Sequence, residues 1–353
     1  MVVSVIATLP TLCPNLQDVS LLSLPIDPMI TAAVSGMLLT SSWNTLRCLE
    51  VDSPLTEEAR EVVFKLPNLR ELSVYIERDT SLSPVVLPNL TDLTIRYDRD
   101  HGWLQGFRGA TLGKLTAVAF HSESELIDDF LEAFEGVALT TSIPATLSTF
   151  VFETSRQWRP NYRSLFSFTQ LKEITVRFPC RGGCSSTIND NIITDMARAM
   201  PRLEILRLGH PCQTPTGVTT EGLIALAYYC PRLTKLCIHL QVASLDPPVD
   251  LEDTPGGEPL LVREDCALTE LWVWEIPLPE ESVAMVALTL LRIFPHIEDI
   301  KSIHHDEGWD KVINLIRRSQ HLVDHSSKKF LHAPLRSKFD EISPGAALRA
   351  AAR

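Results

Sequence analysis

A short pattern of three apolar residues recurs along this chain. The second apolar residue follows the first after two other residues, and the third follows the second after one. The clearest copy is Leu233-Thr-Lys-Leu236-Cys-Ile238. Side chains of a β-strand point alternately to its two faces. We therefore expect the apolar side chains to enter a core while Lys235, Cys237 and His239 point outward.

A helix is predicted directly before this strand, so that Thr216–Leu240 forms one helix–strand unit. Thr219 or Thr220 can cap the helix, because a hydroxyl oxygen accepts an orphan backbone N–H. Pro231 ends it, since proline has no N–H to donate. One apolar face recurs at helical spacing and consists of Leu223, Leu226, Ala227 and Cys230. Such a unit cannot bury this face alone and needs neighbours of the same kind.

The chain supplies these neighbours as a repeat. Successive copies of the strand pattern are 21 to 35 residues apart, around the roughly 20–29 residues of leucine-rich repeats. Eleven copies begin at Leu16, Leu46, Leu69, Leu90, Leu115, Leu147, Leu171, Leu203, Leu233, Leu268 and Ile297. A proline junction precedes many of them, as LCPNL, KLPNL, VLPNL, AMPRL, YCPRL or IFPHI.

These observations predict an α/β fold, a leucine-rich-repeat solenoid or horseshoe over residues 1–325. Parallel strands would line its concave face, with helices or irregular segments on the convex face. The best helices between the strand copies are 28–39, 56–65, 123–134, 189–200, 281–294 and 307–319. An acidic, proline-rich stretch at 246–265 predicts a long exposed loop, and 326–353 predicts a flexible tail.

Composition and charge narrow the function. The net charge of −12 argues against a general nucleic-acid-binding protein, which needs a basic face, and against an anionic membrane surface. We find no apolar run long enough to span a bilayer. The eight cysteines are spread thinly, which favours reduced, buried thiols over a disulfide framework. We therefore expect a cytoplasmic or nuclear protein.

Outward strand positions should form three columns on the concave face, and these columns supply the candidate site. The first is mostly acidic, running from Asp18 and Glu71 to Glu270 and Asp299. Tyrosine, tryptophan and arginine often dominate interface energies. The candidate partner-binding residues are the basic and aromatic members of the other columns: Tyr75, Arg96, His121, Arg177, Arg207, His239, Trp272 and Trp274. The alternative is an ordinary mixed polar face whose tryptophans are covered by the acidic loop.

The sequence patterns that could indicate a catalytic or metal-binding site are weak. Cys180 and Cys184, with His210 and Cys212, match no established zinc spacing, and a pair of loop thiols is the simpler interpretation. His304-His305-Asp306 fits a turn whose Asp306 lies at a helix N-terminus. We find no nucleophile–base pattern, phosphate loop or kinase signature. We therefore expect no catalytic residue, metal site or cofactor, and no enzyme.

The junctions KLPNLRELSV, AMPRLEILRLG and TTEGLIALAYYCPRLTKLCI resemble the leucine-rich repeats of F-box proteins, especially those of basidiomycete fungi. The resemblance covers about residues 5–320. It implies recognition of a protein substrate by the repeats, while an N-terminal F-box docks on the Skp1 adaptor of a cullin ubiquitin ligase. No LP-x-E-I/L-type F-box precedes Leu16, so Skp1–cullin partners are expected only where an upstream F-box exists.

The sequence thus leaves alternative functions open. The first is the substrate-recognition part of an F-box-type ubiquitin-ligase receptor. The second is a leucine-rich-repeat scaffold or signalling regulator without a ubiquitin role, and an enzyme is a third that rests only on the cysteine and histidine clusters. Because the sequence begins inside a repeat, we also expect an uncovered apolar surface at the N-terminal end of the stack, and poor solubility.

Overall fold

The computed structural model describes residues 2–22, 27–40, 43–76, 89–97, 112–119, 130–138, 143–154, 161–178, 188–209, 217–241, 245, 266–273, 278–302 and 306–330. The chain divides into two compact units, Met1–Pro179 and Cys180–Arg353.

In the first unit, seven strands lie side by side in chain order, and each is parallel to the next. They are β1 (Asp18–Leu21), β2 (Cys48–Pro54), β3 (Glu71–Ile76), β4 (Asp92–Tyr97), β5 (Lys114–Ala119), β6 (Thr149–Thr154) and β7 (Glu173–Arg177). The described helices are α1 (Val2–Leu12), α2 (Pro28–Leu39), α3 (Glu57–Val63), α4 (Phe130–Ala138) and α5 (Ile143–Thr146). A 3-10 turn covers Tyr162–Leu165.

The second unit repeats this arrangement. Its parallel strands are β8 (Ile205–Leu208), β9 (Lys235–Ile238), β10 (Glu270–Val273) and β11 (Asp299–Ser302). Its helices are α6 (Asp190–Ala199), α7 (Thr220–Tyr229), α8 (Val283–Ile293) and α9 (Glu307–Phe330), with a 3-10 turn at Glu280–Ser282. Parallel strands in chain order, alternating with helices, confirm the predicted α/β class and are consistent with a solenoid-like fold.

One hydrogen-bond arrangement recurs where the strands begin. Two consecutive backbone N–H groups donate to a single carbonyl of the preceding repeat: Arg70 and Glu71 donate to the Arg47 oxygen, at 2.7 and 2.9 Å. The same arrangement joins β9 to β10 through the Thr234 carbonyl. Hydroxyl groups strengthen several junctions, as when Thr269 Oγ1 donates to the Thr234 oxygen at 3.3 Å. A strand joined in this way is held at a fixed offset from the one before it.

This arrangement corrects the predicted start of the fifth repeat. Gly113 and Lys114 both donate to the Thr91 oxygen, at 2.8 and 2.9 Å, so the repeat begins at Leu112 and not at Leu115. The strand pattern is Leu112-x-x-Leu115-x-Ala117, whose small third residue makes it a weaker match than the run beginning at Leu115. Spacing alone could not choose between them, whereas pairing with β4 does.

In most repeats, the helices begin and end close to the residues that the sequence predicted. Thr56, Asn189 and Thr219 each accept a backbone N–H at the start of α3, α6 and α7. The predicted end of the 123–134 helix was wrong, because α4 continues past Gly136. The last helix was predicted to end at Ser319, and a flexible tail was expected from residue 326. Instead, α9 continues to Phe330. The predicted acidic loop at 246–265 lies outside the described residues.

A carboxylate on α6 also caps the next helix. Asp190 Oδ1 accepts the Thr219 N–H at 2.9 Å and the Gly222 N–H at 3.1 Å, and its Oδ2 accepts the Thr219 hydroxyl at 2.7 Å. A Cβ at Gly222 would lie 2.5 Å from both Asp190 Oδ1 and Val218 Cγ1. Glycine at position 222 is therefore required by close approach within α7, although glycine is intrinsically unfavourable in a helix.

We predict that Gly222→Ala lowers the free energy of unfolding by about 1–3 kcal/mol, since the added methyl overpacks the cap and displaces Asp190. Gly136→Ala is the matched control, because Gly136 is also helical and a methyl added there would meet nothing within 4 Å. Gly136→Ala should stabilise the chain by about 0.5–1 kcal/mol. Denaturant unfolding followed by circular dichroism measures both, and equal effects of the two changes would contradict the close-approach explanation.

Candidate functional site

The predicted partner-binding residues fall into both units. Tyr75 in β3, Arg96 in β4 and Arg177 in β7 belong to the first unit. Arg207 in β8, His239 after β9 and Trp272 in β10 belong to the second. His121 and Trp274 lie outside the described residues.

In the first unit, the third outward column keeps Tyr75 beside Arg96 and Arg177 beside Glu153, as the sequence predicted, but it differs at the fifth repeat. The corrected start of the fifth repeat places Val118 beside Arg96, at the position expected for His121. Arg96 forms an ion pair with Asp52, and Arg177 Nη1 lies 2.9 Å from Glu153 Oε1. The charges of this column are therefore largely neutralised by their own neighbours, which leaves little of a basic face.

In the second unit, two outward positions turn out to be covered. Cys237 is 5% exposed and His239 is 6% exposed, so the prediction that they belong to an exposed face was wrong. His239 is covered by a short segment before α7, where Val218 bridges in parallel to Leu240 and its N–H donates to the His239 oxygen at 2.9 Å. Cys237 lies between Arg207 and Trp272 of the two neighbouring strands. Gly217 in this segment lies so close that an added Cβ would be 2.8 Å from His239 Nδ1.

Trp272 lies at the centre of a group of charged side chains, defined here as the Trp272 patch: Lys235, Glu270, Trp272, Asp299 and Lys301. The indole Nε1 donates to Glu270 Oε1 at 2.8 Å. Lys301 Nζ lies 2.7 Å from the same oxygen and 4.9 Å from the centre of the indole ring. Lys235 Nζ reaches the other Glu270 oxygen at 3.0 Å. The patch thus joins side chains of three parallel strands, in which Glu270 and Lys301 contact the tryptophan and Lys235 contacts Glu270.

The register explains why these side chains meet. Glu270 pairs in register with Lys235 on one side and Asp299 on the other, while Trp272 lies beside Lys301. Glu270 and Trp272 are two residues apart and share one face of β10. Sequence reasoning assigned Glu270 only to an acidic column and did not recognise it as the group that binds Trp272 and both lysines.

Glu270 is the electrostatic centre of the patch. Hydrogen bonds from Lys301, and secondarily from Lys235 and Trp272, lower the pKa of its carboxyl to about 2. Lys301 in turn has a raised pKa because it donates to Glu270. The carboxylate therefore stays ionised throughout the neutral range, and the indole is kept in one orientation. Chemically this is a hydrogen-bonded surface of charged groups with an aromatic group at its centre.

An acidic surface lies on the first strands of the first unit. Asp18, Cys48, Glu71 and Asp92 are aligned across β1 to β4, as the sequence predicted for the first column. Glu50 lies on β2, where its Oε2 accepts the Ser20 hydroxyl at 2.7 Å. Partial burial and the neighbouring carboxylates of Glu71, Glu50 and Asp18 raise the pKa of the Cys48 thiol to about 11. Cys48 is therefore unsuited to act as a nucleophile at neutral pH.

The described part of the chain contains no group of three or more His, Cys, Asp or Glu side chains that could hold a metal ion. The Cys180, Cys184, His210, Cys212, His304 and His305 candidates lie outside it. Asp306 does cap a helix as predicted, with its Oδ1 accepting the Gly308 N–H at 2.6 Å. Cys230 and Cys266 are fully buried, and the described cysteines are thiols and not disulfides.

Comparisons with known proteins found neither a matching family model nor a matching curated protein. Among the described residues, none of the helices combines the length and apolar character that crossing a membrane requires.

We predict that Glu270→Gln destabilises the chain at pH 7 by about 1–2 kcal/mol, since charged hydrogen bonds are lost. The folded pKa is about 2 against an ordinary 4.5, so this stabilisation is present above pH 4.5 and is lost as the pH falls toward 2. The difference in unfolding free energy between wild type and variant should shrink over that window. Glu280→Gln is the control, because Glu280 is exposed and binds only Lys311 among the described residues. An equal loss of stability in the two variants would contradict the central electrostatic role of Glu270.

We predict that Cys48 reacts slowly with iodoacetamide. At pH 8 a thiol of pKa near 11 contains about a hundredfold less thiolate than an ordinary cysteine, and the higher nucleophilicity of that thiolate recovers about tenfold. Cys48 should therefore react about tenfold more slowly. Glu71→Gln should speed the reaction by lowering that pKa toward its usual value. Mass spectrometry of alkylated peptides measures the rates, with exposed Cys13 as the internal reference. Rates at Cys48 that match those at Cys13 would contradict the effect of the acidic neighbours.

Proposed function

We propose that this chain is a leucine-rich-repeat solenoid, with its strands on a concave face, that recognises a protein partner through the Trp272 patch. The observation that carries the proposal is the indole of Trp272, which is hydrogen-bonded to Glu270 and stacked beneath Lys301. The repeat register supports the horseshoe geometry, because the described strand junctions within each unit use the same shared-carbonyl arrangement.

A tryptophan of this kind suits protein recognition. Tryptophan is enriched among the residues that dominate binding energy. Side chains that are ordered before binding lose less entropy when a partner arrives. Trp272 is half-buried and its N–H is already satisfied. Lys301, which lies over its ring, and Lys235, which binds the other Glu270 oxygen, are each 45% exposed. A partner can therefore contact the indole without leaving its N–H unpaired.

More specifically, we propose that the chain is the substrate-recognition part of an F-box-type ubiquitin-ligase receptor. The support is the resemblance of the repeat junctions to those of F-box proteins. A scaffold or signalling regulator with no ubiquitin role is the alternative, since the same patch suits either. The proposal assigns the chain no catalytic step, and it takes Skp1–cullin components as partners only in the presence of an F-box.

We predict that Trp272→Ala reduces capture of the partner at least tenfold, in line with the loss of a dominant interface side chain. Tyr229→Ala is the matched control, because Tyr229 is also a half-buried aromatic beside a cation, with Arg198 lying 5.2 Å from its ring centre, but it belongs to helix α7. Quantitative affinity capture measures both variants, and circular dichroism checks that each is folded.

The composition of the captured material separates the two versions of the function. Ubiquitin-ligase components and a substrate that depends on Trp272 would support the receptor. A stable Trp272-dependent partner without ubiquitin machinery would favour the scaffold. Capture that is unchanged by Trp272→Ala, or equally reduced by Tyr229→Ala, would overturn the assignment of the Trp272 patch.

A further inference from the structure

The Trp272 patch does not present its positive and negative charges equally to the solvent. The side chains of Lys235 and Lys301 are each 45% exposed, whereas the side chain of Glu270, which both lysines bind, is 16% exposed. The Glu270 carboxylate accepts from both ammonium groups and from the indole N–H. A partner that approaches the indole therefore meets more of the two ammonium groups than of this carboxylate.

The hydrogen-bonding capacity of the patch has the same bias. Each lysine ammonium group has three N–H donors, whereas a carboxylate has only acceptors. Among the described contacts, Lys235 uses one donor, on Glu270 at 3.0 Å. Lys301 uses two, since its Nζ lies 2.7 Å from Glu270 Oε1 and 3.3 Å from Asp299 Oδ2. The donors that remain on these two exposed groups suit the oxygens of a further carboxylate.

The second carboxylate of the patch is also held by two cations. Asp299 Oδ1 lies 3.5 Å from Nη2 of Arg317, an exposed residue of α9, and its Oδ2 faces Lys301. The patch and Arg317 together contain three positive and two negative groups, although the chain as a whole has a net charge of −12. Salt at 0.1 M screens exposed charges more than about 10 Å apart. A bound segment therefore responds mainly to this local positive excess.

The indole adds an apolar requirement to the electrostatic one. Trp272 has Lys301 as its register neighbour on β11 and the uncharged Cys237 on β9. The Lys301 Nζ lies 4.9 Å from the centre of the indole ring. A tryptophan side chain offers a large apolar surface to a partner. The best match to the patch is thus an apolar side chain that is accompanied by carboxylates.

We infer that the Trp272 patch binds an acidic segment of its protein partner, with an apolar side chain against the indole and Asp or Glu carboxylates at Lys235 and Lys301. The inference rests on the proposed function, because it names the chemistry of the partner at that same site. A basic segment would bring like charges against the two exposed ammonium groups, which is unfavourable.

Random seven-residue peptides displayed on phage are the probe that tests the inference. They are selected on the full chain and counter-selected on Trp272→Ala, with circular dichroism to show that the variant is folded. We expect the peptides that need Trp272 to be enriched in Asp and Glu beside an apolar residue. A synthetic copy of an enriched peptide, with its carboxylates changed to amides, should bind about tenfold more weakly, the loss expected for two exposed ion pairs.

Lys235→Gln tests the same contact from the side of the chain, because Lys235 binds Glu270 and has no described contact with the indole. It should weaken binding of the acidic peptide about two- to fivefold, as one exposed ion pair is lost, and should leave binding of the amide copy unchanged. Lys311→Gln is the matched control, since the Lys311 side chain is 49% exposed and binds one carboxylate, that of Glu280, at 2.7 Å. Calorimetric titration in 0.1 M salt measures the affinities, and the control should not change them.

The outcomes separate this inference from the proposed function. Peptides that need Trp272 but are basic or uncharged would overturn the acidic segment and leave partner recognition by the patch in place. Equal losses in Lys235→Gln and Lys311→Gln, or equal binding of the acidic peptide and its amide copy, would also overturn it. A selection that yields no peptide able to distinguish the wild type from Trp272→Ala would count against the patch itself, and hence against both.

Discussion

The structure depends on one repeated interaction, in which a single carbonyl of one repeat accepts two consecutive N–H groups of the next strand. It recurs from the Gln17 carbonyl in the first repeat to the Thr269 carbonyl near the end of the chain. Because the junction lies at the first residues of each strand, it fixes the offset at which the strand begins to pair with the one before it. The cross-strand neighbours of the Trp272 patch follow from that offset, whereas β2 and β3 shift register between Glu50 and Pro54.

The inward and outward faces of each strand depend on different interactions. The inward face consists of leucine, isoleucine, valine and phenylalanine side chains, and its burial follows from the hydrophobic effect alone. The outward face is decided by which side chains the register places beside one another. Glu270 is flanked by Lys235 and Asp299 and lies on the same face as Trp272. Arg96 has Tyr75 and Val118 as its register neighbours and forms its ion pair with Asp52, which belongs to the strand beyond Tyr75. Similar residue types therefore form the Trp272 patch in the second unit and the Arg96–Asp52 ion pair in the first.

Polar groups also hold neighbouring repeats together behind the strands. The Asp190 carboxylate of α6 accepts backbone N–H groups at the N-terminus of α7. Gly222 permits this close contact because it has no side chain. Asn68 and Asn89 each donate to a backbone carbonyl of the preceding repeat at 2.6 Å. A repeat in the middle of the chain thus has its apolar and polar requirements met by a neighbour on each side.

The sequence by itself determined the α/β class, most helix positions and the register of most strands, because hydrophobic spacing and proline junctions are local signals. It did not determine the start of the fifth repeat, where Leu112 and Leu115 both begin acceptable patterns and only hydrogen bonding to Thr91 distinguishes them. Nor did it reveal that Gly217 and Val218 cover His239, or that α9 continues to Phe330. These outcomes depend on which backbone segment comes close to which, a property of the packed chain that no local pattern of residue types encodes.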